Sequence, residues 1–496
     1  MSASLPSSPE RSLSRRDVIV LTVAAAVSLG LYLGSSAWFY RIGFPLDDSW
    51  IHQTYARNLA LRGEWSFLPG VPSAGSTSPL WTALLSIGFF LHLSPHIWTY
   101  FLGALLLVGI SLLGESFFRR TIPAYRPSLP WCGLVFTAEW HLAWAAFSGM
   151  ETLFHIFLVL CVANLILTDS HRYLLAGILT GISVWVRPDG LTLLGPLVLA
   201  VLVAKTTYST KIRGLLSLAI GFGVFFLPYL FFNLIVSGTP MPNTFYAKQA
   251  EYANWQAIPF GERLVLFSLQ FFLGVSFVLI PGFVFKIMAA VRQQNWPVIL
   301  TATWVVGYTL LYLSRLPVYQ HGRYLMPALA VFMIIGLGGF LENLRLSSAP
   351  RLRAARSISL FALIASLLFS GAYGVHAYGQ DVAYIESQMV DTASWVAQNV
   401  PSDALIAAHD IGALGYFDHH KLVDLAGLIS PDVVPFINDD ARLSAYLDAQ
   451  GVQYFIAFPG WRPALTNRGI QVNVTESDYI LRDGLGNMTI YRWEKP

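Results

Sequence analysis

The sequence predicts a polytopic α-helical membrane protein with about 11 transmembrane helices and a C-terminal extracytoplasmic α/β domain. Three observations carry this. Of 496 residues, 55% are hydrophobic and 12% are charged, about half the charged share of a soluble domain. Apolar runs of about 20 residues recur along the first three quarters of the chain, the helical length that crosses ~30 Å of hydrocarbon. They are too long and continuous for barrel strands. The charge also divides. After Val375 there are 15 acidic and 7 basic residues, a net of −8, which leaves 24 basic and 13 acidic in 1–375, a net of +11.

The elements follow in order. Residues 1–16 are polar and basic and read as a cytoplasmic tail. Val18–Tyr40 is longer than a signal-peptide core and has no cleavage site, so it is an uncleaved first span. Residues 41–95 form a large outer loop. Within it Ser78–Leu91 is apolar but too short to cross, which suits an interfacial or re-entrant helix. Further spans fall at 96–118, 130–147, 150–168, 173–187, 190–204, 214–236, 262–282, 297–314, 324–342 and 357–375, closing a membrane domain over 17–375. The basic clusters Arg15–Arg16, Arg119–Arg120 with Arg126, Arg172, Lys205 with Lys211 and Arg213, Lys286 with Arg292, and Arg345 with Arg351, Arg353 and Arg356 fall in alternate loops. That side is cytoplasmic by the positive-inside rule. Counting Ser78–Leu91 as a span would invert every later loop. The soluble part, 376–496, opens with an amphipathic helix at Ile385–Asn399. Strand-like runs follow at Ala404–Ala408, Leu422–Ala426, Val452–Phe458 and Met488–Trp493.

Several functions are disfavoured. No basic run with interleaved aromatics marks a soluble segment, so nucleic acid is not an expected partner; the lipid bilayer is. Cys132 and Cys161 lie in apolar runs and read as packing residues. Glu139 and His141, inside the third span, read as a local polar contact. His409, Asp410, Asp418, His419 and His420 match no standard metal spacing and read as a solvated loop. The sequons at Asn473 and Asn487 fall in strand-like segments and read as chance matches.

With this threading, the remaining charged groups beside the apolar runs gather at the outer face. Asp47-Asp48 heads the outer loop. Adjacent carboxylates raise one pKa, which suits a general base with a structural neighbour; a divalent metal held by the pair is a second reading. The bland alternative is the start of a helix over Trp50–Leu61, with Asp at its cap and first turn.

Taken in order, Phe44-Pro-Leu-Asp47-Asp48, Tyr55-Ala-Arg57-Asn58, Gly75-Ser-Thr-Ser-Pro79-Leu-Trp81, Ser148-Gly-Met-Glu151-Thr, Arg187-Pro-Asp189-Gly190, Pro242-Asn243-Thr-Phe-Tyr246-Ala-Lys248 and Gly322-Arg323-Tyr324-Leu-Met-Pro327 resemble the GT-C superfamily of glycosyltransferases. More narrowly they resemble the terminal arabinofuranosyltransferases of cell-wall arabinan. The resemblance covers about residues 17–430. It implies a polyprenyl-phosphate sugar donor, a cell-envelope glycan, lipid or protein acceptor, and transfer outside the membrane.

The residues suit that chemistry. Lys248 and Arg323, with Arg187 behind them, are cations a lipid phosphate would need; Arg binds phosphate as a fork and Lys as a point charge. His321 is placed to donate to the phosphate or to hydroxyls. Tyr55, Glu151, Asn243 and Tyr246 are expected to contact sugar. Against this, each cation reads equally as an interfacial anchor, Glu151 as a helix cap, and Asp189 as the partner that holds Arg187. The competing functions are a transporter or flippase of lipid-linked sugars and a non-catalytic envelope scaffold. A transporter would place charges at mid-membrane, in broken spans or repeats; here they sit at the outer ends of the runs.

Overall fold

The computed structural model describes residues 13–122, 128–167, 171–346, 353–479 and 486–494. The N-terminal tail up to residue 12, and Arg126 and Arg351 among the basic clusters, lie outside the described residues. Among those described, seven helices are long and apolar enough to cross a membrane: Arg15–Phe39, Pro95–Thr121, Tyr208–Ser237, Val275–Arg292, Trp296–Arg315, Gln320–Leu344 and Arg353–Asn399. Shorter apolar helices at Thr152–Leu167, Tyr173–Val186 and Pro188–Val203 stand at the positions of expected spans. Pro79–Phe90 is a helix of 12 residues, about 18 Å long and too short to cross. Gln320–Leu344 is the central helix, with 89% of its apolar window buried.

Two expected spans are broken. The run at 130–147 is two helices, Trp131–Ala138 and Trp140–Phe147, joined at Glu139. The Glu139 carboxylate accepts from the Leu142 amide at 3.0 Å and from His141 Nδ1 at 2.7 Å, so this acid caps the second helix inside the apolar run. The expected span at 262–282 is displaced. Phe260–Phe271 and Val275–Arg292 are separate helices, parted at Gly274 with φ 101°. A side chain there would meet Ser370 Cβ at 2.7 Å. Hydropathy is continuous across this break, so the sequence reading could not see it. The shift also takes Lys286 out of a loop: it is buried in its helix, bonded to Glu342 at 2.5 Å and to the Thr121 carbonyl at 2.7 Å.

The last long apolar helix does not stop at its expected end, residue 375. Arg353–Asn399 is 47 residues of unbroken helix, passing through a π-helical turn at Ile385–Val390. The amphipathic helix expected at 385–399 is therefore its outer end. Beyond it lies a five-stranded sheet in the order Lys421–Asp424, Leu405–Ala408, Tyr454–Ala457, Thr489–Trp493, Gly469–Val474. The first three strands are parallel and the last two antiparallel. Gly469–Val474, which holds the sequon residue Asn473, is an edge strand that the expected strand runs left out; its apolar residues Ile470 and Val472 are exposed.

The soluble domain is clasped to the outer loop. Both carboxylate oxygens of Asp47 accept amide hydrogens at the start of the short Gly412–Phe417 helix, from Gly412 at 2.7 Å and Ala413 at 2.8 Å. Arg57 donates to the carbonyls of Tyr416 and Gly415 at the other end of that helix, at 2.7 and 3.1 Å. Arg41 bonds Glu386 and Asp391, each at 2.7 Å. Position 412 has no room for a side chain, since a Cβ would lie 2.0 Å from the Asp47 carbonyl oxygen. Gly412→Val is therefore expected to cost about 1–3 kcal/mol, the range for overpacking. It should lower Tm and speed proteolysis of the soluble domain; an unchanged Tm would show that the clasp contributes nothing.

Candidate functional site

A cavity of about 370 Å³ opens at the end of the bundle that faces the soluble domain. It collects the sequence motifs from separate segments. Asp48 and His52 come from the Asp48–Arg62 helix, Glu151 from the turn before Thr152–Leu167, and Arg187 and Asp189 from the turn before Leu194–Val203. Lys248 comes from the Asn243–Glu251 helix, Tyr312 from the end of Trp296–Arg315, and Arg323 and Tyr324 from the turn at Gln320–Leu325. The soluble domain adds Leu428.

Arg323 is the most buried cation, with its side chain 2% exposed, while its partner Asp48 is 33% exposed. One guanidinium nitrogen donates to Asp48 Oδ2 at 3.1 Å and to the Tyr324 hydroxyl at 3.3 Å. Nε and Nη1 have no hydrogen-bond partner among the described residues. Unmatched donors on a buried cation are costly, and an oxyanion is the group that satisfies them best. Burial would raise the Asp48 carboxyl, but the charges of Lys248 and Arg323 outweigh it and hold the carboxyl below its usual range.

Tyr324 is the pillar of this group. The charged groups of Arg187, Lys248 and Arg323 lie 5.0, 5.3 and 5.1 Å from its ring centroid, within cation–π range. Lys248 Nζ donates to its hydroxyl at 2.6 Å, and Tyr312 stacks on it at 5.6 Å with 7° between planes.

Arg187 is fully partnered. It bonds Glu151 at 2.6 Å, Asp189 at 3.0 Å and the Tyr312 hydroxyl at 3.2 Å. Asp189 in turn accepts from Tyr308 at 2.5 Å and Tyr312 at 2.7 Å. Glu151 also faces His52 Nε2 at 3.5 Å. Burial would raise the Glu151 carboxyl, but the His52 contact and the Arg187 charge hold it well below its usual range.

Five of the residues singled out from sequence do not line the cavity. Asp47 is the clasp to the soluble domain. Burial and the nearby Asp410 push its carboxyl up to about 7, against the pull of the two amides. Tyr55 is wholly buried and shares its hydroxyl with Ser73 at 2.6 Å and the Gly75 amide at 2.9 Å, so it braces the outer loop. Asn243 donates to the Leu428 carbonyl at 3.2 Å. Tyr246 meets Phe245 edge-on at 5.4 Å. His321 bonds Asp381 at 2.7 Å, with Trp140 and Trp144 edge-on at 5.3 and 5.2 Å. Its φ of 56° follows 52° at Gln320, a left-handed turn that bulky residues seldom adopt, directly before Arg323.

Of the two aspartates, Asp47 accepts amide hydrogens and Asp48 accepts from a guanidinium. Among the described residues no group of three His, Cys, Asp or Glu is placed to hold a metal ion. The histidine-rich segment is not the solvated loop expected. It splits into a His420–Asp418 pair at 2.6 Å, nearly fully buried, and a His409 that lies between Glu251 at 3.2 Å and Asp410 at 3.4 Å.

Five site residues were missed from sequence: His52, Tyr312, Arg315, Tyr324 and Leu428. Tyr324 carried a signal, since it directly follows Arg323 within a quoted motif. The others are set by chain segments far apart. The Arg187 network can be tested directly. Arg187→Met leaves two buried carboxylates without their cation, which typically costs ~3–5 kcal/mol. Arg187→Lys should not restore it, because a point charge cannot serve both carboxylates as a fork does. Thermal unfolding in detergent reads this, and an unchanged Tm for Arg187→Met would overturn it.

Comparison with known proteins bears on the whole chain. The model of a domain of unknown function (DUF8728) matches residues 380–492. No curated protein matches the sequence. Solved structures do match the fold. ArnT from Cupriavidus metallidurans bound to undecaprenyl phosphate is 14% identical, with a TM-score of 0.57, over 96% of this chain and 98% of that one. The oligosaccharyltransferase AglB from Archaeoglobus fulgidus, in complex with an inhibitory peptide and a dolichol-phosphate, is 12% identical, with a TM-score of 0.59, over 90% and 70%. The arabinofuranosyltransferase AftD from Mycobacteria is 16% identical, with a TM-score of 0.54, over 98% of this chain and 40% of AftD.

Proposed function

We propose that this chain, which has the polytopic fold of the GT-C glycosyltransferases, transfers a sugar from a polyprenyl-phosphate donor to a cell-envelope acceptor on the extracytoplasmic face. The observation that carries the reading is the buried Arg323 guanidinium, with Nε and Nη1 unmatched, beside Asp48 in the cavity. Arg323 and Lys248 bind the donor phosphate. Asp48 accepts the proton of the acceptor hydroxyl as the new glycosidic bond forms. The bond from sugar to phosphate breaks, and the charge that gathers on the leaving phosphate is met by cations already in place.

Arg187, Lys248 and Arg323 line the cavity with Asp48, Glu151 and Asp189, and the exposed Arg315 lines it as well. Phosphate binding primes the base. When the phosphate draws on Lys248 and Arg323, the charges that depress the Asp48 pKa are shared, and the carboxylate becomes a better proton acceptor. The basic loops support an N-terminus inside and a C-terminal domain outside, so reporters fused at Arg213 and Pro496 should report opposite sides.

The test is to incubate the purified protein with a panel of polyprenyl-phosphate sugars and follow sugar transferred or released. Asp48→Asn should lower the rate 10²–10⁴-fold, the usual cost of removing a general base, and should also lower Tm, because it leaves the buried Arg323 charge unanswered. Asp47→Asn should lower Tm through the clasp. A normal rate in Asp48→Asn would remove this residue from the chemistry. In the pH profile of kcat/KM, which reports the free enzyme, the acid limb should lie below the ordinary carboxylate pKa of about 3.9. Arg323→Met should move that limb to higher pH, because it removes a charge that holds Asp48 ionised. A limb that does not move would mean another group titrates.

A further inference from the structure

Arg323 enters the cavity from an unusual piece of backbone. Gln320, His321 and Gly322 have φ of 52°, 56° and 69°, three left-handed residues in succession. Residues other than glycine visit this region singly rather than in runs, so such a turn persists only where its surroundings impose it. The contacts that can impose it run through the His321 ring. Its Nε2 meets Asp381 Oδ2 at 2.7 Å, and the Trp140 and Trp144 rings stand edge-on to it at 5.3 and 5.2 Å. Two residues after this ring comes Arg323, with Nε and Nη1 unmatched.

Asp381 does not line the cavity. It lies on the Arg353–Asn399 helix, and its Oδ2 accepts from a second group, the Trp144 indole, at 2.8 Å. Three residues earlier, on the same face of that helix, the Tyr378 hydroxyl donates to the Phe147 carbonyl at 2.8 Å. The Trp140–Phe147 helix gripped by these two contacts runs on through Ser148 into the turn that carries Glu151. One oxygen of Asp381 therefore serves two segments that feed the cavity, the turn before Arg323 and the helix before Glu151. Further along, the supporting helix is itself anchored: Gln388 donates to the Asn487 side chain at 2.6 Å and accepts from the Met488 amide at 2.8 Å.

We propose that Asp381 is a positioning residue for phosphate binding: by holding His321 it keeps the 320–322 turn left-handed and Arg323 aimed into the cavity. It touches neither donor nor acceptor. Without its carboxylate the His321 ring loses its acceptor, the turn relaxes toward the commoner right-handed region, and Arg323 leaves its contact with Asp48. The identity of the phosphate rests on the transferase reading above; the role of Asp381 in aiming Arg323 does not.

The test uses the full chain in lipid nanodiscs. Asp381→Ala should raise the Kd for undecaprenyl phosphate about tenfold, equal to ~1.4 kcal/mol, while Asp381→Asn, which keeps an oxygen to accept from His321 and Trp144, should stay within about threefold. In an Arg323→Met background the Asp381→Ala change should alter Kd by less than about twofold, whereas a residue that merely stabilised the fold would act alike in both backgrounds, because distant and uncoupled sites add. A second measurement needs no ligand. Asp48→Asn lowers Tm through the charge it leaves on Arg323; with Asp381→Ala already present, that loss should shrink by about half or more. Should Asp381→Ala fail to fold, His321→Ala, which breaks the same bond, takes its place in both comparisons. An unchanged Kd, equal fold-losses with and without Arg323, or an equal Tm loss from Asp48→Asn in both backgrounds overturns the proposal. Failure of the unsubstituted protein to bind undecaprenyl phosphate is a different result: it removes the donor reading, and the Tm comparison alone then decides the role of Asp381.

Discussion

A guanidinium that is 2% exposed and bonded to a single carboxylate sets the terms for the rest of this molecule. Burying a cation is expensive unless its charge and its donors are both answered. Asp48 answers the charge and one donor of Arg323, the Tyr324 hydroxyl takes another, and Nε and Nη1 stay open. The surrounding structure keeps that state from collapsing. Tyr324 offers its ring to three cations at once, which holds them close without neutralising them. Glu151 and Asp189 saturate Arg187, so that cation is not free to compete for Asp48. The left-handed turn at Gln320 and His321, tied down through Asp381, aims Arg323 inward. A site prepared in this way has already met the cost of gathering like charges before a phosphate arrives.

The same economy explains the division between the adjacent aspartates. Residues 47 and 48 sit at the start of one helix, yet they serve different domains. Asp48 turns to the cations. Asp47 turns away and receives the amides of Gly412 and Ala413, so the helix that carries the acid is also the helix on which the soluble domain is docked. Movement of that domain would be felt at Asp48 through one peptide bond.

Much of this was legible in the sequence, because bilayer physics is written in composition. The apolar runs and the short Ser78–Leu91 segment each gave the right element. Where the reading slipped, hydropathy carried no information: Gly274 interrupts a run without changing its polarity, and Lys286 looks like a loop residue until Glu342 is seen beside it. The site divided in the same way. Asp48, Glu151, Arg187, Lys248 and Arg323 stood out as charges beside apolar runs, and they share one cavity. Asp47 stood out in the same way, and Tyr55, Asn243 and Tyr246 as sugar contacts, but none of the four lines that cavity. A sequence motif cannot say which way a side chain turns. Leu428 gave no signal at all, being one leucine among many until the fold brings it 380 positions back to Asp48.

That long return has a consequence in time. The amides that receive Asp47 lie 365 positions later in the chain. At synthesis rates of about 5–20 residues per second, roughly 20–70 seconds pass between the emergence of the aspartate and that of its partners. During this interval the first outer loop is made but has nothing to close on, and the cavity lacks one of its sides. The enzyme we propose is thus assembled from both ends of its chain at once, and a ribosome that stalls before residue 412 leaves a membrane bundle with an unfinished site.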